Sequence, residues 1–190
     1  GYMDAENFRA ETLPNGSSIH KNLIGKFKNE VKRQGALPFV RHHNIKYGGQ
    51  FPIWVAVELF TFGMLGSLFD LMRENDQRAV SREYNLSPES LSRLIASAVD
   101  VRNICAHYNR LYNRVLDDQP LLPNRLRLYE SDRLFPLLLA FAHILGRERV
   151  LNRLIMGLSL LKADFPEADL SLCGFPEDWR SILEAEAAQS

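Results

Sequence analysis

The chain has 190 residues, 46% of them hydrophobic, and its 23 basic side chains are balanced by 23 acidic ones. That length and apolar fraction fit one globular domain with a real core and exclude global disorder. A formal charge of zero argues against a nucleic-acid binder that works through overall charge alone.

Gly1 to Gly16 lacks periodicity and reads as a loose lead-in to a single α-helical domain over residues 17–190. Ser17 or Ser18 can cap a helix to about Gln34, in which Ile19, Leu23, Phe27 and Val31 recur every four residues opposite lysines. A short helix from Pro38 to Ile45 is stopped by Gly48-Gly49, and Pro52 starts a buried helix to about Arg73. Gly63 and Gly66 weaken that helix but permit close approach of another. Asp76 to Tyr84 reads as a short helix, followed by a long one from Pro88 to about Arg114. Asp117 to Asn124 is a loop, and Ser131 to Leu145 is a helix with Pro136 early in it. Gly146 breaks or kinks the link to a helix from Arg147 to about Ala163. Pro166 to Gly174 is irregular, and Pro176 to Ala187 closes the chain with a last helix. No β-alternation survives, so the fold class is all-α.

Charge is unevenly spread. Ser18 to Gln50 holds seven Lys/Arg and one acid, Glu30, whereas Ala163 to Ser190 holds seven Asp/Glu and one base, Arg180. Either the basic third offers a local anion-binding surface or the two ends attract each other. Two distant cysteines, Cys105 and Cys173, suit a reduced, cytoplasmic protein. Phe51 to Met72 is the one long apolar run, but Glu58 and Asp70 interrupt it, which reads as a buried helix and not a membrane span.

The Pro88–Arg114 helix carries the chemistry. Ser87 can cap it, Pro88 suits its first position, and Glu89 favours its positive end. At about 100° per residue, Val101, Ile104, Cys105, Tyr108, Leu111, Tyr112 and Val115 form its core face. Cys105 is accordingly expected to be a buried thiol. Asp100, Asn103, His107, Arg110 and Arg114 share a polar stripe, with Arg102, Asn109 and Asn113 on its opposite shoulder. Arg102 and His107 then point about 140° apart, so two copies of the helix packed as a pair would bring two Arg–His sets around one groove. Histidine can move a proton to or from a ribose 2′-hydroxyl or a leaving 5′-oxygen. Arginine can fork onto two phosphate oxygens and stabilise the charge that develops. Asn103, four residues before His107, can orient the ring or bind phosphate. RNA supplies its own nucleophile, so this chemistry requires no metal or other cofactor. On spacing alone, such a strip is usually just the solvated side of an amphipathic helix, and a lone Arg-x4-His is common by chance.

The stretch Arg102-Asn103-Ile104-Cys105-Ala106-His107-Tyr108-Asn109-Arg110-Leu111-Tyr112-Asn113-Arg114 resembles the signature of Abi-like abortive-infection proteins, the AbiD/AbiF type of the HEPN superfamily. A second run agrees: Tyr47-Gly48-Gly49, Phe51-Pro52-Ile53-Trp54-Val55, Glu58 and Phe62-Gly63-Met64-Leu65. The likeness extends through Tyr84-Asn85-Leu86-Ser87 to Gly174-Phe175-Pro176-Glu177-Asp178-Trp179, covering Ser18 to Trp179. It implies a HEPN-type helical bundle packed as a twofold dimer, with the Arg-x4-His motifs of two subunits forming a metal-independent endoribonuclease. By that resemblance Arg102 and His107 are the catalytic pair. Asn103, Asn109, Arg110 and Arg114 are supporting or RNA-binding residues. The implied role is bacteriophage defence, as a toxin restrained by an RNA or protein antitoxin, with RNA as the partner. Many superfamily members place a tyrosine two residues after the histidine; here Asn109 stands there and Tyr108 is adjacent. Family members ordinarily carry further helices ahead of this region, so the chain reads as lacking the usual N-terminal part.

Other candidates read as structural. His42-His43 is a solvated pair or an RNA contact, and Glu58 a hydrogen-bond partner or an orienter of the catalytic histidine. His143 reads as a satisfied core histidine, and Trp54 and Trp179 as core anchors. Cys/His/carboxylate spacing for zinc and a phosphate-cradling glycine loop are both missing from the sequence. The rival to catalysis is a non-catalytic RNA-binding or protein-interaction module using the same polar face, or a dimerising regulator.

Overall fold

The computed structural model describes residues 1–145 and 149–188. Among these residues the chain is all-α: nine α-helices and four short 3-10 turns, with isolated bridges at Phe8–Met72 and Thr12–Ser18 in place of any strand. It divides into two compact units, Gly1–Ala79 and Val80–Ser190, each with its own apolar cluster.

In the first unit α1 (Ile19–Arg33) is capped by Ser18, whose Oγ accepts the Lys21 N–H at 3.3 Å. α2 spans Pro38–Lys46 with Pro38 at its first position. The single helix expected from Pro52 to Arg73 is broken. α3 covers only Ile53–Ala56, a 3-10 turn follows over Val57–Leu59, Phe60 is extended, and α4 starts afresh at Phe62–Leu71. Core packing overrides helix continuity here. The extended residue drives the Phe60 ring into the cluster, and Thr61 then caps α4 by accepting the Met64 N–H at 3.2 Å. Phe27 is the hub, with the rings of Tyr2, Phe51 and Phe60 edge-on to it at 5.6, 5.9 and 5.2 Å. The stretch read as a lead-in contributes to this core. The Tyr2 hydroxyl donates to the Phe51 carbonyl at 2.9 Å, and Phe8 lies against His20. Trp54, expected to anchor the core, is 72% exposed, and Glu58 is exposed on its 3-10 turn. His43 is half-buried, its ring stacked on Phe51 at 5.3 Å. α5 (Glu74–Arg82) contains the boundary between the units.

In the second unit α6 spans Pro88–Ala106, and a 3-10 turn occupies Asn124–Tyr129. α7 (Phe135–Leu145) starts four residues later than Ser131 and carries Pro136 in its first turn, where the missing N–H costs nothing. Its buried residues run round most of its circumference, as expected of a helix enclosed by others. α6, α8 (Arg149–Asp164) and α9 (Trp179–Ala187) all pack on it. Trp179 is half-buried against this cluster. The break expected at Gly146 and the start expected at Arg147 lie outside the described residues. The irregular stretch from Pro166 to Gly174 contains a 3-10 turn, Leu170–Cys173.

The Nδ1 of His143 is paired, as its apolar neighbours require: it lies 2.7 Å from Glu186 Oε1. Glu186 is buried at the end of α9 and also takes a hydrogen bond from Arg125. Removing that carboxylate leaves the buried His143 Nδ1 without this partner and returns the half-exposed Arg125 to water, a loss on the order of 2 kcal/mol. Glu186→Ala should therefore lower unfolding free energy by about that amount in urea titration; an unchanged midpoint would refute the role given to the pair.

Candidate functional site

α6 begins as its sequence directs. Ser87 Oγ accepts the Ser90 N–H at 3.0 Å, Pro88 occupies the first position, and Glu89 sits in the first turn. Leu91, Leu94, Ala98 and Ile104 hold one face in the core. The end of the helix departs from expectation. It stops at Ala106 with His107 as C-cap, eight residues before Arg114.

The stop has a defined geometry. Tyr108 takes the left-handed conformation, φ 54°. Its N–H donates to the Cys105 carbonyl at 3.2 Å, and the Asn109 N–H donates back to Ile104 at 3.0 Å. This paired closure is the Schellman arrangement, which satisfies carbonyls the helix would otherwise leave open. Tertiary bonds then replace the helical ones. The Tyr112 hydroxyl accepts the Asp169 N–H at 3.1 Å and donates to the Asp169 carbonyl at 3.2 Å. The Asn113 N–H reaches Cys173 Sγ at 3.4 Å, and Arg133 donates to the Asn113 side chain at 2.9 Å. Leu116 is buried, its N–H bonded to Asp132 at 2.9 Å. Gly174 makes the receiving turn possible: its φ is 82°, and a Cβ there would lie 2.8 Å from that of Arg133. Hydrogen bonds from the Ser171 hydroxyl and N–H hold the Asp169 carboxyl below the usual carboxylate range. The turn that receives Tyr112 thus keeps this cap at neutral pH and loses it only as pH falls through that lowered value.

The early stop rearranges the expected faces. Ile104 is buried and Val101 and Leu111 are half-buried, but Cys105, Tyr108, Tyr112 and Val115, assigned to the core face, are exposed. The buried-thiol expectation for Cys105 is corrected accordingly. Arg102 and Asn103 lie on the last turns of α6, both exposed, with Arg102 Nη1 donating to Asn103 Oδ1 at 3.1 Å. His107 is exposed at the helix terminus, and its N–H bonds to the Asn103 carbonyl at 3.1 Å. Arg102 and His107 stand about 7.5 Å apart along the axis. Arg110 and Arg114 are exposed but lie beyond the helix, so they do not share a stripe with His107. Asn109 closes the cap through its backbone. Tyr108, expected on the core face, is 98% exposed beside the histidine. Nothing in Ala106-His107-Tyr108-Asn109 signals a stop, because no glycine or proline marks it.

Among the described residues no group of three or more His, Cys, Asp or Glu could hold a metal ion. The second motif lies in the first unit, where Gly49, Phe51, Pro52 and Ile53 line an apolar groove of about 900 Å³ with Lys28 and Lys32 also on its wall.

An all-helical protein with an exposed Arg–Asn–x3–His helix end is the class these features define. A model of the Abi-like protein family matches residues 1–113, more than half the chain, including the Tyr47–Leu65 run and the Arg102 stretch as far as Asn113. The chain belongs to the Abi-like protein family, and with it comes a family-level role in abortive infection, the defence of bacteria against phage. The match begins earlier than the likeness read from Ser18 to Trp179 and stops at Asn113. No curated protein and no solved structure matches the chain. No helix among the described residues is long and apolar enough to cross a membrane.

A left-handed non-glycine residue costs roughly 1–2 kcal/mol, and the Tyr108 ring makes almost no contact to offset it. Tyr108→Gly is therefore expected to stabilise the protein by about 1 kcal/mol, raising Tm by about 2–4 °C. A fall in Tm would show that the Tyr108 side chain stabilises the fold and would refute this reading of the cap.

Proposed function

We propose that this protein is a metal-independent endoribonuclease of the HEPN type, acting in phage defence as a toxin. The observation that carries the reading is the exposed His107 at the terminus of α6 with exposed Arg102 on the preceding turns, inside the family-matched segment. A histidine sealed in the core could not reach a polymer; this one can.

In the proposed reaction an imidazole removes the proton from a ribose 2′-hydroxyl, and the 2′-oxygen attacks the adjacent phosphorus. The bond to the 5′-oxygen breaks, and that oxygen receives a proton from an imidazolium. Arg102 holds the non-bridging oxygens as charge builds on them, steadied by its hydrogen bond to Asn103. The products are a 2′,3′-cyclic phosphate and a 5′-hydroxyl. One ring cannot be unprotonated base and protonated acid at the same moment. Two copies supply both, which favours a homodimer with two Arg102–His107 sets at one cleft. Arg110 and Arg114, exposed in the chain beyond the end of α6, bind flanking phosphates. RNA is the substrate, an RNA or protein antitoxin is the restraint, and the compartment is the cytoplasm.

Purified protein incubated with mixed RNA should cut it in the presence of a divalent-metal chelator and leave cyclic-phosphate ends. His107→Ala and Arg102→Ala should each reduce the rate at least about 100-fold. Cutting that survives His107→Ala discards the assignment. RNA retained equally by wild type and His107→Ala, with no cleavage, identifies a binding module instead.

A further inference from the structure

The run from Tyr47 to Ile53 takes no part in the Arg102–His107 site. It shapes the apolar groove of the first unit instead. Gly48 and Gly49 adopt left-handed backbone, φ 59° and 76°, which turns the chain after α2 so that Gln50 to Ile53 line the groove together with α1. Buried Phe27 and Phe51, edge-on at 5.9 Å, form its floor, with half-buried Tyr2 and Val31 beside them. Ile53, also on the wall, is 41% exposed. A concave, mostly apolar volume of about 900 Å³ is of the size that takes a small organic ligand.

Side-chain charge reaches the groove from one element. Lys28 and Lys32 lie one turn apart on α1, about 6 Å along its axis, and both are on the wall. Neither joins an ion pair among the described residues. No carboxylate lines the groove among those residues. Glu30, the sole acid between Ser18 and Gln50, points about 160° away from both lysines and is held by Arg33 at 2.5 Å. A lysine lays its methylene stem along apolar surface and keeps its ammonium in water, so two of them can converge on one head group above an apolar floor. We infer that the groove binds one free anionic amphiphile, its apolar tail on Phe27 and Phe51 and its carboxylate or phosphate held by Lys28 and Lys32. Charge selects the ligand as shape does, because a cationic head would meet two like charges and no opposite one. The recess selects a free molecule over a bilayer, since only a tail that enters the groove reaches Phe27, which is 3% exposed. The groove contains neither Arg102 nor His107, and the inference stands whether or not the protein cleaves RNA.

The test is isothermal titration calorimetry of the full chain with decanoate and with decyltrimethylammonium, equal tails with opposite heads. Decanoate should bind one per chain with Kd below about 1 mM, and at least about fivefold more tightly than the cation. Lys28→Glu and Lys32→Glu together should reverse that preference, a gain that misfolded protein cannot give. Ile53→Gln, at an exposed position, should weaken both probes, and circular dichroism should show each variant as helical as wild type. Decanoate should shift the amide NMR signals of Phe27, Phe51 and Ile53. Absence of decanoate binding, equal affinity for the two heads, or a preference that survives the charge reversal would each overturn the inference. Co-sedimentation of the wild type with phosphatidylglycerol vesicles, lost on the charge reversal, would overturn it too by making this surface a membrane contact.

Discussion

The structure around the candidate site depends on one backbone reversal, the left-handed residue Tyr108 that ends α6 immediately after His107. Were α6 to continue to Arg114, Tyr108 would turn toward the core face and His107 would be one residue among many on a long polar stripe. Stopping the helix does two things at once. It leaves His107 at a terminus with Asn109 and Tyr108 folded back on the final carbonyls, and it sends the chain to the Asp169–Gly174 turn. The polar ends of Arg102, Asn103 and His107 stay in solvent because Ile104 alone, among residues 102–107, is buried. A bulky residue in a left-handed conformation is unusual, and such strain tends to persist where surrounding structure and function require it.

The second unit is organised about α7, and that organisation makes the exposed helix end tolerable. Most of α7 is buried, α6, α8 and α9 cover it, and the His143 Nδ1 near its end reaches Glu186 on α9. With so much apolar surface concentrated on one central helix, α6 needs only Leu94, Ala98 and their neighbours to hold its place. Its C-terminal turns are released from core duty. α8, by contrast, carries more apolar surface than the unit can cover.

Much of this was legible in the residues. The helices over Ile19–Arg33, Pro38–Lys46 and Glu74–Arg82 announce themselves through Ser18, Pro38 and local periodicity, and the all-α class follows from the absence of alternation. The start of α6 was legible because Ser87-Pro88-Glu89 is a local signal. Its end was not, because the stop is a tertiary decision: Tyr112 and Asn113 find partners at Asp169, Cys173 and Arg133, more than fifteen residues away in every case. The break at Phe60 has the same origin, a ring drawn into a cluster around Phe27. That Arg102 and His107 fall on one helix or at its end was legible from spacing, whereas their pairing as a site rests on the family likeness. That Cys105 and Tyr108 would share their exposure was hidden by extrapolating the helical wheel past its last turn.

The account stands on Arg102 and His107 engaging one phosphate. NMR titration with an RNA whose 2′-hydroxyls are methylated, and which cannot be cut, tests this without turnover. The His107 ring and the Arg102 guanidinium should shift together, along one binding curve, while residues of α1 and α2 stay still. Shifts at only one of the two, or at neither while RNA binds elsewhere, would contradict the claim.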